Sequence, residues 1–136
     1  MKLSPHLTFD GQCEAAFKFY ERCLGGTIIV MLSYGESPMA NQVPPEWAAK
    51  ILHATLSVGE NTLVGADSFP GRYEQPRGFH VVLGIADLTE AERAYHALTE
   101  NGTVQMPLQE TFWAVRFGVL VDQFGISWEI NCEPAR

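Results

Sequence analysis

Two segments of this chain carry the same punctuation in the same order, and such a repeat constrains the fold more than any single motif. The first, about residues 3–68, opens on the strand-like Pro5-His6-Leu7-Thr8-Phe9. It turns at Asp10-Gly11 and enters a helical run, Glu14 to Leu24, that Gly25-Gly26 stops. The second, about residues 78–132, opens on the strand-like stretch Phe79 to Ile85. Asp87 or Thr89 then caps a helix, with Glu90 or Glu92 three residues later in capping-box order. Ala91, Ala94, Tyr95 and Leu98 follow at helical spacing, and Asn101-Gly102 supplies a left-handed stop. After each stop come three stretches with strand character. They are Thr27 to Tyr34, Ile51 to Val58 and Thr62 to Ala66, against Thr103 to Met106, Trp113 to Val121 and Ser127 to Asn131. Each unit reads strand, helix, three strands.

One helix on four short strands leaves a sheet face uncovered, so two such βαβββ modules are expected to combine. The predicted fold is α+β, with the modules forming a curved mixed sheet, helices outside and a concave cup inside. The chain has 136 residues, 46% of them hydrophobic, enough for one core and too few for two ordinary domains. A single domain over 1–136 is therefore expected, with module one at about 3–68, a linker at about 69–77 and module two at about 78–132. Pro38, Pro44 and Pro45 mark the segment between Gly35 and Ala49 as a loop. Trp47 inside it suits a lid or a dimer arm.

Charge narrows the partners. The net charge is −7 and nine Lys and Arg are scattered, which excludes the clustered basic surface that nucleic acid requires. No stretch approaches the run of about 20 apolar residues that spans a bilayer, and Met1 to Phe9 has no apolar leader core. A cytoplasmic protein with no membrane partner is expected. Cys13, Cys23 and Cys132 are odd in number with no CxxC spacing, which fits reduced, structural thiols.

Strand alternation sends successive side chains to opposite faces. With Phe79, Val81, Leu83 and Ile85 under a helix, His80 faces the cup; with Leu7 and Phe9 in the core, His6 is its counterpart. In the last strand Ile126, Trp128 and Ile130 take the core face, so Glu129 faces the cup. Lining up the units sets Gly65 opposite Glu129 and puts Asp67 two residues on, on the same face. The predicted metal ligands are thus His6, His80 and Glu129, with Asp67 as a further candidate. Two imidazoles and a carboxylate suit Zn²⁺, Ni²⁺, Mn²⁺ or Fe²⁺ with positions open for water and substrate. His53 and His96 do not align between the units and are assigned no role.

The opening Pro5-His6-Leu7-Thr8-Phe9, with Ala16-Phe17-Lys18-Phe19-Tyr20 and Leu24-Gly25-Gly26, resembles the start of vicinal oxygen chelate proteins. That superfamily holds glyoxalase I, fosfomycin-resistance thiol transferases, extradiol dioxygenases and bleomycin-binding proteins. The closing Gln109-Glu110-Thr111-Phe112-Trp113-Ala114, Val121-Asp122-Gln123-Phe124-Gly125 and Trp128-Glu129-Ile130-Asn131 resemble its PhnB-like branch. The resemblance implies metal binding by the positions of His6, His80 and Glu129. Glyoxalase I adds a Glu where this chain has Gly65, whereas the fosfomycin-resistance enzymes manage with three ligands. It also implies a two-fold homodimer. Some PhnB-like sequences carry a ubiquinone-pathway methyltransferase label. No Gly-rich turn after a strand opens a helix here, so no nucleotide cofactor is expected.

Two functions follow. The first is Lewis-acid catalysis by a divalent metal on a small polar metabolite, of the isomerase or thiol transferase type. The second is metal-free sequestration of an aromatic or cationic ligand, of the bleomycin-resistance type. Trp113, Arg116, Phe112 and Glu110 are candidate substrate-binding residues: the aromatics can hold a ring, and Arg116 can grip an anion through two N–H groups.

Overall fold

The structure is a computed structural model and describes residues 1–133. The chain divides into two compact units, the first running from Met1 to Gln75 and the second beginning at Pro76. Each unit is α+β and repeats the strand, helix, three-strand order.

In the first unit β1 (His6–Phe9) leads into α1 (Cys13–Leu24), followed by β2 (Thr27–Ser33), β3 (Ile51–Val58) and β4 (Asn61–Asp67). The helix ends where Gly25 takes a left-handed φ of 71° and donates its N–H to Glu21 O. The sheet order is β1-β4-β3-β2, with β1 parallel to β4 and the other pairs antiparallel. Leu7, Phe9, Ala54, Leu56 and Leu63 bury against Ala16, Phe17 and Tyr20 of α1. This apolar layer holds the unit together.

The second unit repeats the plan with β5 (Val81–Gly84), α2 (Leu88–Thr99), β6 (Thr103–Gln109), β7 (Arg116–Val121) and β8 (Ser127–Cys132). Its sheet order is β5-β8-β7-β6, with β5 parallel to β8. Asp87 caps α2 by accepting from Glu90 N at 2.9 Å. The left-handed residue beyond the helix is Asn101, at φ 57°. Trp128, Ile130 and Leu120 are buried beneath Ala91, Ala94 and Leu98.

Two buried aspartates staple the turns. Asp67 is 1% exposed; its Oδ1 accepts from Gly11 N (2.8 Å) and Cys13 N (3.0 Å), and its Oδ2 from Ile51 N (2.8 Å). Asp122 accepts from Phe124 N, Ile126 N and the Trp128 indole N–H. A buried carboxylate is tolerated where its lone pairs meet several donors.

The loop between β2 and β3 forms two 3-10 turns, Ala40–Gln42 and Pro45–Trp47. Its Trp47 is fastened to its own unit: the indole N–H donates to Ser68 O at 3.0 Å, and the Lys50 ammonium stands 5.9 Å from the ring centroid. All three cysteines are free and buried. Among the described residues, no helix is long and apolar enough to cross a membrane.

Candidate functional site

In the second unit burial alternates along β8. Trp128, Ile130 and Cys132 turn to α2, while Ser127, Glu129 and Asn131 look away from it, onto the open face of the sheet. On that face Glu129 stands between Val82 of β5 and Val119 of β7 in register, and Asn131 between Gly84 and Phe117. Val82 on that face is 55% exposed.

His80 arrives here by a route other than the expected one. Strand pairing begins at Val81, so Phe79 and His80 precede β5 instead of lying within it. The imidazole nevertheless reaches the carboxylate, with Nδ1 3.7 Å from Glu129 Oε1 and both side chains partly exposed. That separation exceeds a hydrogen bond, and no other described protein group bonds to either side chain, so their lone pairs stay available. Two donors sharing a tetrahedral ion at about 2.0–2.2 Å lie roughly 3.4 Å apart. The pair alone supplies two of the three or more protein donors that a metal site uses.

The structure brings His80 and Glu129 together. His6 opens β1 in the first unit, exposed and on the face turned from α1, as alternation predicts. Among the described residues, no group of three or more His, Cys, Asp or Glu is arranged to hold a metal ion.

The alignment that set Gly65 opposite Glu129 is corrected. Leu63, Gly65 and Asp67 are the buried set of β4 and face α1, whereas Glu129 lies on the face turned from α2. Residue 65 is glycine for packing reasons: a Cβ would lie 2.7 Å from the Phe17 ring and 2.8 Å from Leu7 O. Asp67 shares that inward face, and its carboxylate is occupied by three backbone N–H groups. It is a staple of the α1 entrance and not a group on the open face. The first unit's open face carries His6, Thr8, Val64 and Ala66, together with His53, whose Nε2 is 3.3 Å from Thr55 Oγ1.

Trp113 was expected to begin a strand but lies in the loop between β6 and β7, because pairing with β8 starts at Arg116. Phe112, Trp113 and Phe117 form an edge-to-face chain, with centroids 4.7 Å and 5.1 Å apart. Phe112 is 97% and Trp113 44% exposed. Through Phe117 this group borders the open face beside Asn131. Glu110 is exposed in the same loop. Arg116 alternates with Gly118 and Leu120 on the α2 side, and its Nη1 donates to Val115 O at 2.7 Å.

Asn131 was absent from the predicted site. Its Nδ2 donates to Glu133 Oε1 at 3.0 Å, while its Oδ1 is buried without a hydrogen-bond partner. The available signal was its spacing, two residues beyond Glu129 on the same strand face.

Repeated βαβββ units of this form are the fold shared, at 16% and 14% identity, by solved structures described as a possible glyoxalase and as a glyoxylase/bleomycin resistance protein/dioxygenase domain. The chain belongs to the PhnB-like family, whose model, described as 3-demethylubiquinone-9 3-methyltransferase, matches residues 1–131. The Escherichia coli protein YjdN is 34% identical over 96% of this chain and 95% of its own length. The crystal structure of PA1353 from Pseudomonas aeruginosa is 43% identical, covers 99% of both chains and superposes with a TM-score of 0.91. A Bacillus cereus structure described as a putative 3-demethylubiquinone-9 3-methyltransferase, PhnB protein, is 22% identical over 97% of this chain and 99% of its own, with a TM-score of 0.81.

Proposed function

We propose that this PhnB-like protein binds a divalent metal and a small polar metabolite on the open face of its second sheet, for catalysis of the isomerase or thiol transferase type. The observation that carries the reading is the His80–Glu129 pair: an imidazole nitrogen and a carboxylate oxygen 3.7 Å apart, partly exposed and without other protein partners among the described residues. Resemblance to the superfamily adds His6 as the third ligand. A divalent ion so held would supply Lewis-acid polarisation of a substrate oxygen. His80 and Glu129 hold the ion, and the Trp113–Phe117 pair offers an apolar wall for the rest of the metabolite. The protein is proposed to act in the cytoplasm as a homodimer.

Methyl transfer is not part of this proposal. The turns after β1 and β5, Asp10-Gly11-Gln12 and Ile85-Ala86-Asp87, hold one glycine between them, unlike the glycine-rich turns that cradle a nucleotide.

The exposure of Phe112 and Trp113 favours a second reading, metal-free sequestration of a planar aromatic compound. Metal content separates the two. Untagged protein purified without chelator and reconstituted with Zn²⁺, Ni²⁺, Mn²⁺ or Fe²⁺ should retain one ion per chain by mass spectrometry. His80→Ala and Glu129→Ala should retain none. Wild-type protein that retains no ion would sink the metal reading and leave sequestration.

A further inference from the structure

We infer that Asn101 is a site of spontaneous covalent modification in the folded protein. Its side-chain amide is lost through attack by the backbone nitrogen of Gly102, and the isoaspartate so formed loosens the turn that joins α2 to β6.

The fold itself demands the reactive pair. Asn101 lies just past α2 at φ 57°, and among the described residues it is the only non-glycine at positive φ. Asparagine is one of the few side chains that tolerate this region. Position 102 has to be glycine, because a Cβ there would lie 2.5 Å from Val121 O and 3.1 Å from Asp122 Cα. Val121 closes β7 and pairs in register with Thr103, so the turn is seated on that strand end. Of Asn41, Asn61, Asn101 and Asn131, only Asn101 precedes a glycine. A following residue without Cβ leaves its nitrogen an open path to the asparagine side-chain carbon.

Access and protection decide whether the pair reacts. Asn101 and Gly102 are both exposed. The Gly102 N–H donates to Thr99 O at 2.9 Å, a single bond to a neutral carbonyl at the end of a helix, where opening costs least. Asp10-Gly11, at the entrance of α1, can close the same ring with loss of water. There, however, the Gly11 N–H donates at 2.8 Å to the Asp67 carboxylate, which is 1% exposed. Removing that proton would set a second anion against a buried one, so Asp10-Gly11 is guarded and Asn101-Gly102 is not.

In the reaction, solvent hydroxide takes the Gly102 amide proton and the nitrogen attacks Asn101 Cγ. The Cγ–Nδ2 bond breaks, and ammonia leaves with a proton from water. Water then opens the cyclic imide at either carbonyl, giving aspartate or isoaspartate; overall, amide plus water becomes carboxylate plus ammonium. Both products place a negative charge beyond the C-terminal end of α2, which the helix dipole opposes. Isoaspartate also reroutes the backbone through the side chain, so Gly102 no longer fits against Val121 O.

The test is incubation of the full chain in mildly alkaline buffer, followed by native isoelectric focusing and peptide mass spectrometry. An acidic band should accumulate that carries isoaspartate at position 101 and none at position 10. The separated band should melt about 3–6 °C below fresh protein. In urea, isoaspartate should rise at both positions. Asn101→Gly, which accepts the positive φ and has no amide to lose, should fold and form no such band. Asn101→Asp, with the charge but the normal backbone, should show a smaller melting shift than the isoaspartate form. Asn101 intact in the folded protein while it converts in urea would overturn the inference, showing that the bond to Thr99 suffices as protection. So would an acidic band that forms as fast in Asn101→Gly. An acidic form that melts with fresh protein, or no lower than Asn101→Asp, would overturn the loosening of the turn.

Discussion

His80 Nδ1 lies 3.7 Å from Glu129 Oε1, although strand pairing begins one residue after His80. The contact links the residue preceding β5 to the middle of β8 and leaves both side chains partly open to solvent. Neither group is bonded to other described protein groups, and this pair is the observation on which the proposed metal site rests.

Asp67 and Glu129 should separate cleanly on mutation. Asp67→Ala removes a buried carboxylate from three backbone N–H groups, so a loss of about 2–4 kcal/mol of folding stability is expected by urea unfolding. Its metal affinity, measured under conditions where the variant is folded, should match wild type. Loss of metal from folded Asp67→Ala would return Asp67 to the ligand set.

Two glycines on opposite sheet faces should respond in opposite ways. Gly65→Ala forces a Cβ against Phe17 and Leu7 O, and a cost of about 1–3 kcal/mol is expected from overpacking. A Cβ at position 84 meets nothing within 4 Å, so Gly84→Ala should leave stability within about 0.5 kcal/mol of wild type. Thermal unfolding of the two variants checks both halves.

Alkaline pH should loosen the first unit. Burial, followed by the charges of Asp67 and Glu14, holds the Cys13 thiol above its ordinary 9.0. Burial, followed by Asp67 and Cys13, holds the Tyr34 phenol above its ordinary 10.0. The unfolded chain releases these protons at their ordinary values while the folded chain retains them. Stability is therefore complete below about pH 9 and declines above it, by up to roughly 1.4 kcal/mol per pH unit for each group. The stability difference between wild type and Cys13→Ala should shrink between pH 8 and pH 11 in urea titrations. A difference independent of pH would contradict the assignment.

Trp113→Ala should cost little stability, because the ring is half exposed in a loop. Affinity for planar aromatic ligands should fall about 3- to 10-fold, the range expected for losing one edge or stacking contact. Fluorescence quenching of the remaining tryptophans by a panel of aromatic compounds would measure it.

Much of this architecture was legible because local chemistry and tertiary packing agree. Thr27, Ile51, Val58 and Ser127 bound strands where the hydrophobic pattern starts or stops, and Gly25 ends α1 through a left-handed backbone. The inward and outward sets of β8 followed from alternation alone, which found Glu129. The same rule failed between the units, because aligning them by position ignored parity: Gly65 is inward for the sake of the Phe17 ring, a contact from a distant element that spacing does not encode. Trp113 read as strand from its β propensity, but pairing in β7 is set by register with β8 and begins at Arg116. Asn131 carries no composition signal at all. Which of its polar atoms is satisfied depends on the approach of Glu133 to Nδ2, a contact that residue type does not encode.

The most direct test of the central claim is calorimetric titration of chelator-stripped protein with Zn²⁺, on wild type, His6→Ala, His80→Ala and Glu129→Ala. The account predicts one ion per chain for wild type, with each variant weakened by more than the ~10–100-fold that losing an outer-shell partner costs. A wild-type isotherm indistinguishable from those of His80→Ala and Glu129→Ala would contradict it.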